Sequence, residues 1–182
     1  MVTIDLITGF LGSGKTTFLK KYAEYLMDQG LHIGILENDF GAINVDMLML
    51  HELRGDQCEL EMIAGGCDAE SHRRRFRTKL ISMRMCGYDR VLVEPSGIYD
   101  VDEFFDVLRE EPLDQWYEIG NVIAILDARL EKNLSQQADY LLASEAANAG
   151  KVILSHADAA TREQCELSLI HISEPTRHAQ IS

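Results

Sequence analysis

Short apolar runs alternate with amphipathic segments along most of the chain. The runs fall at residues 2–8, 33–37, 90–94, 122–127 and 151–155. Near-continuous apolar runs of this length are typical of strands buried on both faces of a parallel sheet. The intervening segments that we predict as helices are residues 15–27, 72–85, 101–110 and 130–147. This alternation predicts an α/β fold with a doubly wound, mostly parallel sheet flanked by helices.

A glycine-rich stretch joins the first predicted strand to the first predicted helix. Residues 9–17 read GFLGSGKTT and satisfy the pattern G-x-x-x-x-G-K-[ST], in the strand-to-helix context that this motif requires. Such a loop turns backbone N–H groups and a helix N-terminus toward phosphate. We expect Lys15 to reach the β- and γ-phosphates and the Thr16 hydroxyl to ligate Mg²⁺. The residues expected to contact a nucleoside triphosphate are Gly12, Ser13, Gly14, Lys15, Thr16 and Thr17.

Acidic residues end two further predicted strands, where a fold of this class places its site. Glu37 opens the sequence ENDFG, and Glu94 opens the sequence EPSG. An acid at such a position can hold Mg²⁺ or orient the attacking water, and the N–H of Gly97 can reach a γ-phosphate. We therefore predict catalytic roles for Lys15, Asp39 and Glu94. The alternative is that each acid merely ends its strand in solvent.

Composition narrows the class of protein further. The length of 182 residues predicts one domain, and 46% hydrophobic with 26% charged residues excludes a disordered chain. The net charge of −13 argues against nucleic acid or an anionic membrane as a partner. Four irregularly spaced cysteines do not form a disulfide framework, so we expect a reduced, cytoplasmic protein.

Five motifs occur together and in order between residue 2 and about residue 158. They are TGFLGSGKTT at residues 8–17, ENDFG at 37–41, Gly66-Cys67, EPSG at 94–97 and VIAILDA at 122–128. This set resembles the CobW-like P-loop GTPases, which are related to the hydrogenase- and urease-accessory GTPases. The resemblance implies Mg²⁺-dependent GTP hydrolysis coupled to delivery or insertion of zinc or cobalt, or to maturation of a metalloenzyme. It further implies a client metalloenzyme or metal-acceptor protein as partner, and it is compatible with a nucleotide-dependent homodimer.

The metal-binding motif departs from the family pattern Gly-Cys-x-Cys-Cys. This chain reads Gly-Cys-Asp-Ala-Glu at residues 66–70 and keeps the first cysteine alone. Carboxylate and imidazole can replace thiolate ligands with lower discrimination between metals, so the predicted ligand set is Cys67, Glu70, His72 and Glu37. Alternatively, Cys67 is a small buried residue and Glu70 lies at the start of a helix. The protein would then be a nucleotide-controlled binding module that activates a corrinoid or other metalloenzyme without binding metal itself.

The base-recognition segment also departs from the family. Members carry Asn/Thr-Lys-x-Asp after the last of these strands, and here residues 155–158 read Ser-His-Ala-Asp. By the resemblance, Asp158 retains the carboxylate that pairs with guanine, whereas the residues that support the loop and cover the base differ. GTP is the expected substrate, and ATP remains an alternative.

The C-terminal residues are set apart from the rest of the chain. Residues 167–177 read LSLIHISEPTR and resemble the in-frame translation of a transposase library adaptor. We therefore expect residues 1–166 to form a P-loop GTPase domain that is incomplete at its C-terminus, and residues 167–182 to be a non-native tail. The alternative is a genuine C-terminal strand and turn.

Overall fold

A computed structural model describes residues 1–10, 12–39, 45–64, 69–95, 101–129 and 145–166. Six strands form one sheet: β1 (Val2–Gly9), β2 (Ile33–Asp39), β3 (Cys58–Ala64), β4 (Arg90–Pro95), β5 (Tyr117–Asp127) and β6 (Lys151–Ser155). The helices are α1 (Lys15–Asp28), α2 (Val45–Leu50), α3 (Ala69–Arg84), α4 (Val101–Leu108) and α5 (Leu113–Trp116), with a 3₁₀ turn at His51–Leu53. Residues 145–148 and 162–166 are also helical.

Every paired strand in the sheet is parallel, and the order across the sheet is β3-β2-β4-β1-β5-β6. All six C-terminal strand ends therefore lie at one edge of the sheet. The chain first crosses from β1 to β2 and later returns across β1 from β4 to β5. Ligand sites of open α/β sheets form at this change of direction, which here falls at the C-terminal end of β1.

The two faces of the sheet carry separate hydrophobic clusters, as a doubly wound fold requires. On one face, Phe76 of α3 and Phe104 of α4 pack with Leu6 of β1. On the other, Leu19 of α1 packs with Ile7 of β1 and Ile35 of β2. All of these side chains are fully buried. The predicted fold class is confirmed. In the described part of the chain, no helix is both long enough and apolar enough to cross a bilayer.

Two strands differ from the sequence prediction. β3 was not predicted, because it lies at the edge of the sheet and alternates buried Cys58 and Leu60 with the more exposed Glu59. A period-two pattern, rather than a continuous apolar run, is the signal for such a strand. β5 begins at Tyr117, five residues before the predicted start, since its first half is mostly exposed.

The helix predictions agree with the structure to within a few residues where they can be compared. α1 extends one residue beyond the prediction, α3 begins three residues early, and α4 ends two residues early. The short helices α2 and α5 were not predicted. Of the helix predicted at residues 130–147, residues 130–144 lie outside the described part of the chain.

Candidate functional site

The loop between β1 and α1 lies at the C-terminal end of the central strand. Gly9 has φ 146°, and a Cβ at this position would overlap the carbonyl oxygen of Ile125 in β5. Gly14 has φ 91° and caps α1, so the chain turns directly into the helix at Lys15. The first N–H groups of α1 have no partner within the helix, and they carry the positive end of its dipole. The loop therefore has the backbone form of an anion site.

Three side chains of this loop are withdrawn from solvent. Ser13, Lys15 and Thr16 are 1%, 7% and 8% exposed, whereas Gly12 and Thr17 are exposed. The Lys15 ammonium donates to the carbonyl oxygen of Phe10 at 3.3 Å. The Ser13 hydroxyl is buried and has no hydrogen-bond partner among the described residues. The loop thus holds polar donors that a bound phosphate could satisfy.

The hydroxyl of Thr16 connects this loop to the end of β4. It donates to Glu94 Oε1 at 2.9 Å, across 78 residues of sequence. Glu94 is 4% exposed. The structure therefore brings the two sequence-predicted residues, one from the phosphate loop and one from a strand end, into direct contact.

A second carboxylate lies beside Glu94. Glu37 of β2 and Glu94 of β4 are directly opposite each other in the parallel register, so their side chains share one face of the sheet, the face that α1 covers. Glu37 is 3% exposed. Both acids are buried, which contradicts the alternative that they end their strands in solvent. Two carboxylates and a hydroxyl supply the hard oxygen ligands that Mg²⁺ prefers. Asp39 lies two residues further along β2, opposite Ala64.

A third buried acid at this site was missed by the sequence analysis. Glu145 is 2% exposed, and its Oε1 accepts a hydrogen bond from the Thr8 hydroxyl at 3.0 Å. Burial raises the pKa of Glu145, and the hydrogen bond from Thr8 and then the charge of Lys15 partly offset that rise. In the sequence, Glu145 is marked only by the small residues Ala-Ala-Asn-Ala that follow it. That pattern alone does not indicate a functional site.

The predicted base-recognition segment lies against the phosphate loop. Ser155 Cβ and His156 Cε1 lie 3.8 Å and 4.0 Å from the position of a Cβ on Gly14. His156 adopts φ 53°, and its Nδ1 lies 3.2 Å from Asp127 Oδ2. Arg129 also pairs with Asp127, at 2.7 Å, and its hydrogen bonds hold the pKa of Asp127 below the usual range. Asp158 is exposed.

The predicted transition-metal ligands are only partly within the described residues. Glu70 is exposed on the first turn of α3, and His72 is 3% exposed with its Nδ1 3.1 Å from Glu103 Oε1 of α4. Cys67, like Gly97 of the predicted phosphate contacts, lies outside the described part of the chain. Among the residues that are described, no three His, Cys, Asp or Glu side chains group into a metal site. The four-ligand site stays a prediction.

Comparison with known proteins gives a consistent set of relatives. The sequence profile of the CobW/HypB/UreG nucleotide-binding domain matches residues 3–181. The zinc chaperone YeiR of Escherichia coli (strain K12) is 31% identical over 157 residues, which cover 83% of this chain and 47% of YeiR. The zinc chaperone YjiA of the same strain is 29% identical over 172 residues, covering 87% of this chain and 50% of YjiA. The chain spans about half the length of these curated relatives.

Structural comparison supports the same fold. The crystal structure of the Zn(II)-bound YjiA GTPase from E. coli matches with a TM-score of 0.56 at 21% sequence identity. The match covers 93% of this chain and 54% of that one. At this identity, the similarity establishes the arrangement of strands and helices alone.

Proposed function

The chain belongs to the CobW/HypB/UreG family of nucleotide-binding domains, and from this premise we propose that it binds and hydrolyses GTP. The observation that carries the proposal is the hydrogen bond from Thr16 to the buried Glu94. It joins the glycine-rich loop to a carboxylate at the end of a strand. In P-loop proteins that transfer phosphoryl groups, a hydroxyl of the loop and a strand-end carboxylate together hold Mg²⁺. Membership of the family favours GTP as the nucleotide.

Each residue at the site has a separate proposed role. The N–H groups of residues 12–17 bind the phosphates, and Lys15 moves from the Phe10 carbonyl to the β- and γ-phosphates. Thr16, Glu94 and Glu37 fit Mg²⁺, which neutralises charge on the phosphate oxygens when bound. Glu94 or Asp39 orients the attacking water, and the N–H of Gly97 contacts the γ-phosphate.

Base selection is proposed to rest on the segment that follows β6. Asp158 pairs with the guanine N–H groups, while Ser155 and His156 lie between the phosphate loop and the base. Their closeness to Gly14 supports this placement. Competition between labelled GTP and unlabelled ATP measures the preference, and Asp158→Asn is expected to reduce it. Equal affinities for both nucleotides in the wild type would contradict a guanine site.

Hydrolysis is tested with a pair of lysine variants on the same helix. Lys15→Ala removes the ammonium at the phosphate loop, and removal of a single preorganised charge of this kind costs about 100- to 1,000-fold in rate. Lys21→Ala removes an exposed lysine about one and two-thirds turns further along α1 and should leave phosphate release unchanged. Undiminished GTP hydrolysis by Lys15→Ala would refute the assignment.

We further propose that nucleotide turnover serves delivery of zinc or cobalt to a client metalloenzyme or metal-acceptor protein. The names of YeiR and YjiA as zinc chaperones support metal delivery over a metal-free activator. The candidate ligands are Cys67, Glu70, His72 and Glu37. Titration of Mg·GTP-loaded protein with Co²⁺ should give a thiolate charge-transfer band that Cys67→Ala abolishes. Without stoichiometric cobalt binding, the metal would belong to the client instead.

The remaining proposals concern the extent and setting of this domain. Residues 1–166 are proposed as the GTPase domain, with residues 167–182 as a non-native tail. The chain's cysteine spacing supports a reduced cytoplasmic setting. A nucleotide-dependent homodimer is proposed from the family alone, and light scattering with and without Mg·GTP tests it.

A further inference from the structure

Glu145 is the buried ionisable group at this site that the proposed reaction does not use. It lies in the helical residues 145–148 that precede β6, and its side chain is held by one hydrogen bond from Thr8, the residue before the phosphate loop. Its second carboxyl oxygen, Oε2, is buried and has no hydrogen-bond partner among the described residues. An unsatisfied buried carboxyl oxygen costs stability, so packing alone does not explain Glu145 beside the phosphate loop.

The charged group that acts on Glu145 is Lys15. Their electrostatic interaction favours the ionised carboxylate, although burial favours the neutral acid. The two side chains do not hydrogen-bond to each other, since Lys15 donates to Phe10 and Glu145 accepts from Thr8. Lys15 is itself nearly enclosed, at 7% exposure. Lys15 therefore interacts electrostatically with a buried carboxyl group to which it is not hydrogen-bonded.

We propose that Glu145 is a positioning residue that provides the counter-charge of Lys15 in the empty loop and thereby weakens nucleotide binding and speeds product release. The proposal rests on the nucleotide site proposed above. Bound phosphates take over the interaction with Lys15, and the carboxylate of Glu145, which is hydrogen-bonded to the residue before the loop, repels them. Because these effects act on bound GDP as on bound GTP, the carboxylate favours the empty loop after each turnover.

The test compares two substitutions that separate charge from hydrogen bonding. Glu145→Gln keeps the shape and the acceptor for Thr8 but removes the charge. Thr8→Val keeps the carboxyl group and removes the hydrogen bond, which is one of the two interactions that favour its ionised form. The probe is methylanthraniloyl-GDP, read by fluorescence at pH 8 as an equilibrium affinity and a dissociation rate. At an effective dielectric constant of about 20, a buried charge about 12 Å from a phosphate charge changes affinity by roughly tenfold. We expect Glu145→Gln to bind about tenfold tighter and to release the probe correspondingly more slowly, and Thr8→Val to tighten binding by less.

The pH dependence gives a second readout that a merely structural role would not produce. Burial raises the pKa of Glu145, so acidification neutralises the wild-type carboxyl and makes it resemble glutamine. The ratio of wild-type to Glu145→Gln dissociation constants should fall toward one as the pH is lowered from 8. Titration of the nucleotide phosphates acts on both proteins and cancels in this ratio.

Several results would overturn the inference. Equal or weaker binding by a folded Glu145→Gln at pH 8 would make Glu145 a structural residue, as would tightening of the same size in Thr8→Val. Thermal unfolding of each variant without ligand establishes that it is folded. Failure of the wild type to bind the probe at all would instead overturn the proposed nucleotide site, and this inference with it.

Discussion

Glu94→Gln should raise stability and abolish Mg²⁺-dependent nucleotide binding at the same time. The substitution removes the ionisable group from one of two buried acids that are directly opposite each other near the ends of β2 and β4. The side-chain amide has almost the same volume, and its oxygen can still accept the hydrogen bond from Thr16. The change therefore isolates the charge of Glu94 from its packing and its hydrogen bond.

The size of the effect follows from the register of the two strands. Glu37 and Glu94 are opposite each other on neighbouring strands, which are about 4.8 Å apart. Two like charges about 5 Å apart repel by roughly 3 kcal/mol at an effective dielectric constant of about 20. Each acid has further contacts, so we expect a gain of about 1–3 kcal/mol in the free energy of unfolding, or about 3–8 °C in Tm for a chain of this size.

Thermal unfolding at pH 8, with and without Mg·GDP, measures both effects. The wild type should gain Tm from the ligand by mass action, whereas Glu94→Gln should start higher and gain little. Glu24→Gln, an exposed acid on α1, is the control and should change neither quantity. A lower Tm for ligand-free Glu94→Gln, together with a full response to Mg·GDP, would refute the paired-carboxylate account.

Three further predictions concern other groups. Asp5 is fully buried and contacts Tyr22, Asn121 and Arg90. Asp5→Ala should lower the free energy of unfolding in urea by about 3 kcal/mol, and a loss below about 1 kcal/mol would contradict this. Cys58 is 1% exposed, and burial raises its pKa to about 11. At pH 8, iodoacetamide should therefore alkylate Cys58 at least about tenfold more slowly than the exposed Cys86. Equal alkylation rates would be inconsistent with the burial of Cys58. Arg129 lowers the pKa of Asp127 in the folded state, so the stability that this carboxylate adds is present at pH 7 and is lost as the pH falls below the pKa of about 3.9 that aspartate has in the unfolded chain. The difference in unfolding free energy between the wild type and Asp127→Asn should shrink in that range. A pH-independent difference would argue against the ion pair.

The parts of the fold that could be predicted from sequence are those indicated by a local pattern of residues. The buried strands β1, β2 and β4 are continuous apolar runs, and so is β6, although β6 lies at the edge of the sheet and is only partly buried. Each of the four was predicted within two residues. The phosphate loop was predicted because its glycines, lysine and threonine are consecutive. β3 was missed since an edge strand buries only alternate side chains.

The site was only partly predictable because its contacts are long-range. Glu94 could be selected from its place at a strand end, whereas its pairing with Glu37 follows from strand register, which no local pattern gives. Glu145 meets Thr8 across 137 residues, and the chain between them carries no motif that indicates the contact. Likewise, His72 was grouped with Cys67 by spacing, while the fold places it against Glu103 of α4.

The central claim is that the phosphate loop and Glu94 together form a site for Mg·GTP. The most direct measurement is GTP affinity with and without Mg²⁺ for the wild type and for two adjacent variants. Thr16 is buried and bonded to Glu94, whereas its neighbour Thr17 is exposed. The account predicts that Mg²⁺ strengthens binding to the wild type and to Thr17→Val but not to Thr16→Val. An undiminished Mg²⁺ effect in Thr16→Val would contradict it.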